Sequence, residues 1–114
     1  MGETKKREFS TTEVDGHVLT VTIDRPERMN ALHWMANEEL ATVFDEFVAD
    51  PELWVAIITG AGDRAFSAGN DLKYQAQEAG GEMKAGPKAG FGGLTGRYDN
   101  TKPVIAAVNG VAMG

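Results

Sequence analysis

Residues 54–72, WVAIITGAGDRAFSAGNDL, decide the fold, and the rest of the chain is read outward from them. The stretch opens on Val55, Ala56, Ile57, Ile58 and Thr59, an apolar and largely β-branched run that predicts a buried strand. It breaks at Gly60 and Gly62 into a turn. A second small-residue turn, Ser67-Ala68-Gly69, leads to Asn70-Asp71-Leu72, which reads as the first turn of a helix. A strand end, a glycine turn and a helix start together expose backbone N–H groups. Such groups can hold an anion or a negative charge that develops during a reaction.

Upstream, residues 8–24 alternate in polarity and predict a hairpin. EFSTTEV is one strand, Asp15-Gly16 is the turn, and HVLTVTID is the second strand, with Leu19, Val21 and Ile23 on its more apolar side. Pro26 cannot continue a central strand, so the hairpin ends near Asp24-Arg25-Pro26-Glu27-Arg28. From Ala31 to Ala49 the period becomes helical, through Leu32, Met35, Leu40, Val43, Phe44, Phe47 and Val48. Glu38, Glu39, Asp45 and Glu46 then fall on a solvent face, with Asn30 as a cap near the start and Asp50-Pro51 as the stop. Strand, strand, helix, strand is an α/β layout within a single domain, without a repeat at solenoid periods.

Downstream, residues 78–96 are glycine-rich and aperiodic, so a flexible surface loop is expected there, and a segment covering a site is the other reading. Lys102-Pro103 starts a further strand over Val104 to Val108. Asn109-Gly110 turns it, and Val111-Ala112-Met113-Gly114 heads toward a second glycine-rich element. The sequence stops just after an apolar strand and a turn, so we expect the front part of a longer protein.

Composition narrows the function. Across 114 residues, 11 basic side chains against 17 acidic ones leave a net charge of -6, which argues against nucleic acid or an anionic membrane as the main partner. The absence of cysteine excludes disulfides, thiolate metal sites and a cysteine nucleophile, and no metal site is expected. The opening MGETKKREFSTTE has no apolar region behind it and no run approaches a membrane span, so a cytoplasmic protein without a secretory signal is expected.

Two chemistries fit the glycine turns. Gly60-Ala61-Gly62-Asp63-Arg64-Ala65 matches the dinucleotide pattern G-x-G-x-x-A after a strand. The element that follows, Phe66-Ser67-Ala68-Gly69, is not a helix, and the acid nearest the ribose-binding spacing is Glu82 inside the glycine-rich loop, which sets that reading aside. The second is an oxyanion hole built where Ser67-Ala68-Gly69-Asn70-Asp71 and Asn109-Gly110-Val111-Ala112-Met113-Gly114 both leave apolar strands that could lie side by side. Small residues let a ligand carbonyl approach main-chain N–H groups. From the residues alone, two tight turns of an α/β core are the favoured account. His17 and His33 lack partners at ligand or triad spacing and read as surface or core residues, and Trp34 and Trp54 read as packing.

The blocks RPERMNAL, IITGAGDRAFSAGNDLK and KPVIAAVNGVAMG, in this order and spacing, resemble the enoyl-CoA hydratase/isomerase (crotonase) superfamily over nearly the whole chain from Phe9. The resemblance implies a spiral of β-β-α units, with residues 1–114 as the N-terminal portion of one crotonase-like domain. It also implies an acyl-CoA thioester as substrate, coenzyme A entering as part of that substrate rather than as a separate cofactor. The family stabilises a thioester enolate with two backbone N–H groups. By that likeness the first donor is the N–H of Asn70, after Gly69, and Gly114 begins the loop that supplies the second. Ala68 lies where the family's main chain meets the CoA adenine. Lys73 and Arg28 could meet CoA phosphates, although Lys73 reads equally as a solvated helix residue. Asn70 replaces the small residue common in hydratases, which a backbone donor tolerates. Asp71, beside this CoA-binding turn, reads as a helix cap rather than an acid catalyst. The family's two glutamates would fall beyond Gly114. The implied activity is hydration of a 2-enoyl-CoA in fatty acid metabolism. Isomerase, dehydratase, C–C hydrolase, decarboxylase or a non-catalytic acyl-CoA-binding member are alternatives. A homo-oligomer, trimer or hexamer, is implied by the same likeness.

Overall fold

The computed structural model of the protein describes residues 2–77 and 87–113. Gly114 and residues 78–86 of the expected glycine-rich loop lie outside the described residues. Five strands form one sheet in the order β1-β2-β3-β4-β6: β1 (Glu3–Lys6), β2 (Ser10–Asp15), β3 (Val18–Ile23), β4 (Val55–Gly60) and β6 (Val104–Ala106). The first three are antiparallel neighbours, whereas β3, β4 and β6 run parallel. The hairpin through Asp15-Gly16 and the strand after residue 54 are where the sequence pattern places them. β1 is additional: its residues ETKK are all exposed and carry no apolar alternation to read.

Helix α1 (Trp34–Ala49) connects β3 to β4 and lies across one sheet face. Its buried Leu40, Val43, Phe44 and Phe47 meet Leu19, Val21 and Ile23 from β3 and Ala56 and Ile58 from β4. A parallel connection needs such a crossover, and the period of two on the strands matches the helical stripe above it. Phe44 and Phe47 meet edge to face with ring centroids 6.3 Å apart. The stop at Asp50 is as expected, and Lys102 reinforces it by donating from Nζ to the Phe47 and Asp50 carbonyls at 2.6 and 2.7 Å.

Two expectations at the helix need correction. The helix starts at Trp34, not Ala31, and its cap is His33, whose Nδ1 accepts from the Ala36 N–H at 3.1 Å. Leu32 belongs to the apolar stripe, yet its backbone groups bond to Gly69 and Asp71 instead, so it cannot join the helix. Glu39 is not a solvated acid. Its carboxylate accepts from the Phe9 N–H at 3.0 Å and from the Ser10 hydroxyl, pinning the start of β2 to α1.

The described half of the glycine-rich stretch, 87–96, folds against α1. The Gly92 N–H donates to Asn37 Oδ1 at 2.8 Å, and a Cβ placed on Gly93 would stand 2.6 Å from the Ala41 nitrogen. Glycine there serves close approach of two backbones. Arg97 follows, reaching the Ala41 carbonyl and Asp45.

A two-stranded parallel sheet, β5 (Ala65–Ser67) with β7 (Val111–Ala112), sits beyond the ends of β4 and β6. Short helix α2 (Leu72–Gln77) follows β5. Among the described residues no helix is long and apolar enough to cross a membrane.

Candidate functional site

The two turns expected to meet do so. β4 and β6 pair in parallel at Ala56–Val104, Ile57–Ile105 and Ile58–Ala106, and the chain leaves both strands in the same direction. It re-pairs as β5 with β7, and the Met113 N–H then donates to the Ser67 carbonyl at 3.0 Å. Because a strand follows Gly62, the glycine turn at 60–62 has no helix N-terminus to offer a dinucleotide, in keeping with setting that reading aside.

Two asparagines clamp this turn. Asn109 Nδ2 donates to the carbonyls of Gly60 and Gly62 at 2.9 and 3.0 Å, while its Oδ1 accepts from the Gly60 N–H at 3.1 Å. From the other side Asn30, which is buried, donates to the Ala61 and Ala65 carbonyls at 3.1 and 2.9 Å. Asn30 therefore does not cap a helix; it stands four positions before one, with φ 56°, and holds the glycine turn.

The Ala68-Gly69-Asn70 turn has a specific hydrogen-bond pattern. The Ala68 N–H donates to the Met29 carbonyl at 3.0 Å, and the Gly69 N–H donates to Ser67 Oγ at 3.1 Å. The Gly69 carbonyl accepts from the Leu32 N–H at 2.8 Å, and the Asp71 N–H donates to the Leu32 carbonyl at 3.1 Å. In a trans peptide the C=O and N–H point opposite ways. With the Gly69 carbonyl aimed at Leu32, the Asn70 N–H in the same plane is aimed away from it. Among the described residues that N–H donates to no acceptor, and nothing donates to the Ala68 carbonyl. Gly69 reaches this geometry at φ 92°, a conformation that other residues enter at a cost.

Asp71 is buried, 4% exposed, and its carboxylate is engaged within the protein. Oδ1 accepts from the Tyr74 N–H at 2.9 Å, making it the cap of α2. Arg25 pairs with it at 3.0 Å and Arg28 at 3.4 Å. Burial alone would raise its pKa, but the Tyr74 N–H and the Arg25 and Arg28 guanidinium groups outweigh it and hold the carboxyl below the usual aspartate range. Of the residues expected to touch CoA, Asp71 thus faces inward, Arg28 is partly buried against it, and Lys73 is exposed. Gly114 lies outside the described residues.

Sequence reading missed Arg25 altogether. It is 6% exposed, pairs with Asp71, lies 5.9 Å from the Phe9 ring centroid and donates to the Ala31 carbonyl. The one sequence signal was an arginine directly before proline at a strand end, which reads equally as a surface turn. His33 is buried beside it, between the edges of Phe9 and Tyr74 at 4.5 and 5.0 Å, where burial first and the Arg25 charge second lower its pKa. His17 stacks on Trp54 at 3.5 Å between centroids, and that tryptophan is more exposed than a packing residue should be.

Next to the β5–β7 pair a cavity of about 710 Å³ opens, lined by Ile58, Phe66, Phe91, Leu94, Val104 and Met113 among others. Among the described residues no group of three or more histidine, cysteine, aspartate or glutamate side chains could hold a metal ion.

The mixed sheet's parallel strands release two neighbouring small-residue turns, and in one of them the Asn70 N–H has no acceptor among the described residues. Residues 13–114 match the model of the enoyl-CoA hydratase/isomerase family, and the chain belongs to that family. Among curated relatives it is 50% identical over 99 residues to a carnitinyl-CoA dehydratase of Citrobacter koseri, covering 87% of this chain and 37% of that protein. The carnitinyl-CoA dehydratase of Escherichia coli K12 is 49% identical over 100 residues, covering 88% and 38% respectively. The chain thus spans less than two fifths of the length of these relatives. Among solved structures, a carnitinyl-CoA hydratase from Mycobacterium avium superposes with a TM-score of 0.80 at 38% identity, over 92% of this chain and 40% of that one. An enoyl-CoA hydratase from Mycobacterium tuberculosis gives 0.76 at 36% identity, over 90% and 38%.

Proposed function

We propose that the protein acts on acyl-CoA thioesters, adding or removing water across the 2,3-bond, with the Asn70 N–H as one donor to the thioester oxygen. Hydration places the hydroxyl on C3 and the proton on C2, through an enolate whose negative charge sits on that oxygen. Dehydration is the same path reversed, so relatives named hydratase and dehydratase support one reading. The observation that carries it is the orientation of the Gly69–Asn70 peptide, which leaves one N–H unspent among the described residues in a turn whose neighbouring N–H groups are taken. A preorganised donor of this kind stabilises charge in the transition state without reorganisation cost. On this reading the second donor would come from the loop that Gly114 begins, with the water-handling glutamates after it. The Ala68 carbonyl, which accepts from no donor among the described residues, and the exposed Lys73 suit the adenine and phosphates of CoA. Coenzyme A enters with the substrate, and the cytoplasmic trimer or hexamer is part of the same family reading.

The test is water addition to crotonyl-CoA and removal of water from carnitinyl-CoA in the full chain carrying Asn70→Pro, beside Asn70→Ala. Proline removes the N–H and should cost on the order of a hundredfold in rate, whereas alanine keeps the donor and most of the rate. Unchanged turnover in a folded proline variant would overturn the assignment. CoA-ester binding without any turnover in the native protein would point instead to a binding member of the family.

A further inference from the structure

The turn that presents the Asn70 N–H leans on a segment that is itself strained. Residues 25–32 supply its backbone partners, the Met29 carbonyl and both backbone groups of Leu32. Within that segment Met29 and Asn30 stand consecutively at φ 54° and 56°, left-handed conformations that L side chains adopt at a cost. A single 3-10 turn at Pro26–Arg28 is its regular structure. Arg25 anchors it, beside the backbone bonds from the Met29 and Ala31 N–H groups to the Pro26 and Arg28 carbonyls. The Arg25 N–H donates to Asn30 Oδ1 at 2.9 Å, and its guanidinium donates to the Ala31 carbonyl, bracketing the two left-handed residues. The same guanidinium meets Asp71 at 3.0 Å, with side-chain exposures of 7% and 3%. Arg25 thus ties the supporting segment to the residue that follows Asn70.

Resting on the reading above, we infer that Arg25, through Asp71, is a positioning residue that sets the direction of the Asn70 N–H at the thioester oxygen. The pair is buried within the protein rather than open to a ligand. It holds both sides of the Leu32–Asn70 bridge, so that rotation of the Gly69–Asn70 peptide would require a buried ion pair to open. A donor that swings away loses the developing charge more than it loses the bound thioester, because the charge exists only in the transition state. Arg28 is not equivalent. It meets Asp71 at 3.4 Å rather than 3.0 Å, from a partly exposed position with a side-chain exposure of 26%.

The experiment uses Arg25→Gln, Arg25→Lys and Asp71→Asn in the full chain, the last keeping an acceptor for the Tyr74 N–H. Two readouts are taken: kcat and KM with crotonyl-CoA, and the near-ultraviolet absorbance of bound acetoacetyl-CoA, whose enolate forms without water addition. We expect kcat to fall on the order of tenfold to a hundredfold with KM little changed, and the enolate signal to fall with it. Lysine should restore part of both. Where Arg25→Gln fails to fold, Asp71→Asn gives the same comparison. Folded variants that keep the native enolate signal overturn the inference, as do variants that lose KM and kcat together. Native protein that forms the enolate without hydrating crotonyl-CoA would sink the hydro-lyase reading and leave Arg25 to be judged on the enolate signal.

Discussion

His33 shows at the residue scale how one side chain can serve both the fold and the site. Its Nδ1 must stay unprotonated to accept from the Ala36 N–H, and burial with the nearby Arg25 charge favours that neutral form. In the unfolded chain the ring takes a proton near about pH 6.5, and in the folded protein only below that. As pH falls from the ordinary histidine value to the lowered one, the unfolded state binds the extra proton and stability is lost. Asp71 adds a further loss below the usual aspartate range, because its folded pKa is held down. The melting temperature of the native protein should therefore fall more steeply below about pH 6.5 than that of His33→Asn, which can cap the helix and cannot titrate. Parallel curves would show that His33 is not the titrating group.

The strand ends and turns set the next scale. The β4–β5 turn is held less by its own hydrogen bonds than by side chains of elements far away in sequence, Asn30 from one side and Asn109 from the other. Asn109→Ala would leave the Gly60 N–H and several carbonyls without that partner, at a cost of about 1–3 kcal/mol. Asn109→Asp keeps the acceptor for the Gly60 N–H and turns a negative oxygen toward the Gly60 and Gly62 carbonyls. Thermal unfolding should find the aspartate variant at least as destabilised as alanine; near-native stability in Asn109→Asp would remove the donor role from the account.

Taken as a whole molecule, the protein concentrates its packing on one face of one sheet. Strands β3 and β4 lie at its centre beneath Leu40, Phe44 and Phe47, whereas β1 is an edge strand with exposed side chains. β6 and the segment after it present Ile105, Val108, Val111 and Met113 outward. Stability follows burial and neighbour hydrogen bonding rather than position in the chain. Amide exchange should accordingly be slowest in β3 and β4 and clearly faster in β1. Equal protection across these three strands would contradict a core confined to α1 and the central pair.

The hairpin, helix α1 and strand β4 were legible in the sequence because their residues repeat at periods of two and 3.6, a local property that burial of one face turns into structure. The strand-end turns, with Gly69 and Asn70 at their tip, were legible as small residues after apolar strands, and the family likeness assigned them a use. The tertiary structure alone decided where the polar groups go. The same Asn, Arg and Asp letters serve caps, solvated turns and buried clamps, and only the partners brought in from distant segments tell these apart. Leu32 leaves its helical stripe because the Gly69 carbonyl and the Asp71 N–H claim its backbone. Arg25 is a buried clamp because Asp71, 46 positions later, arrives beside it. Periodicity is written along the chain, whereas satisfaction of buried polar groups is a long-range condition that exists only once the chain has closed on itself.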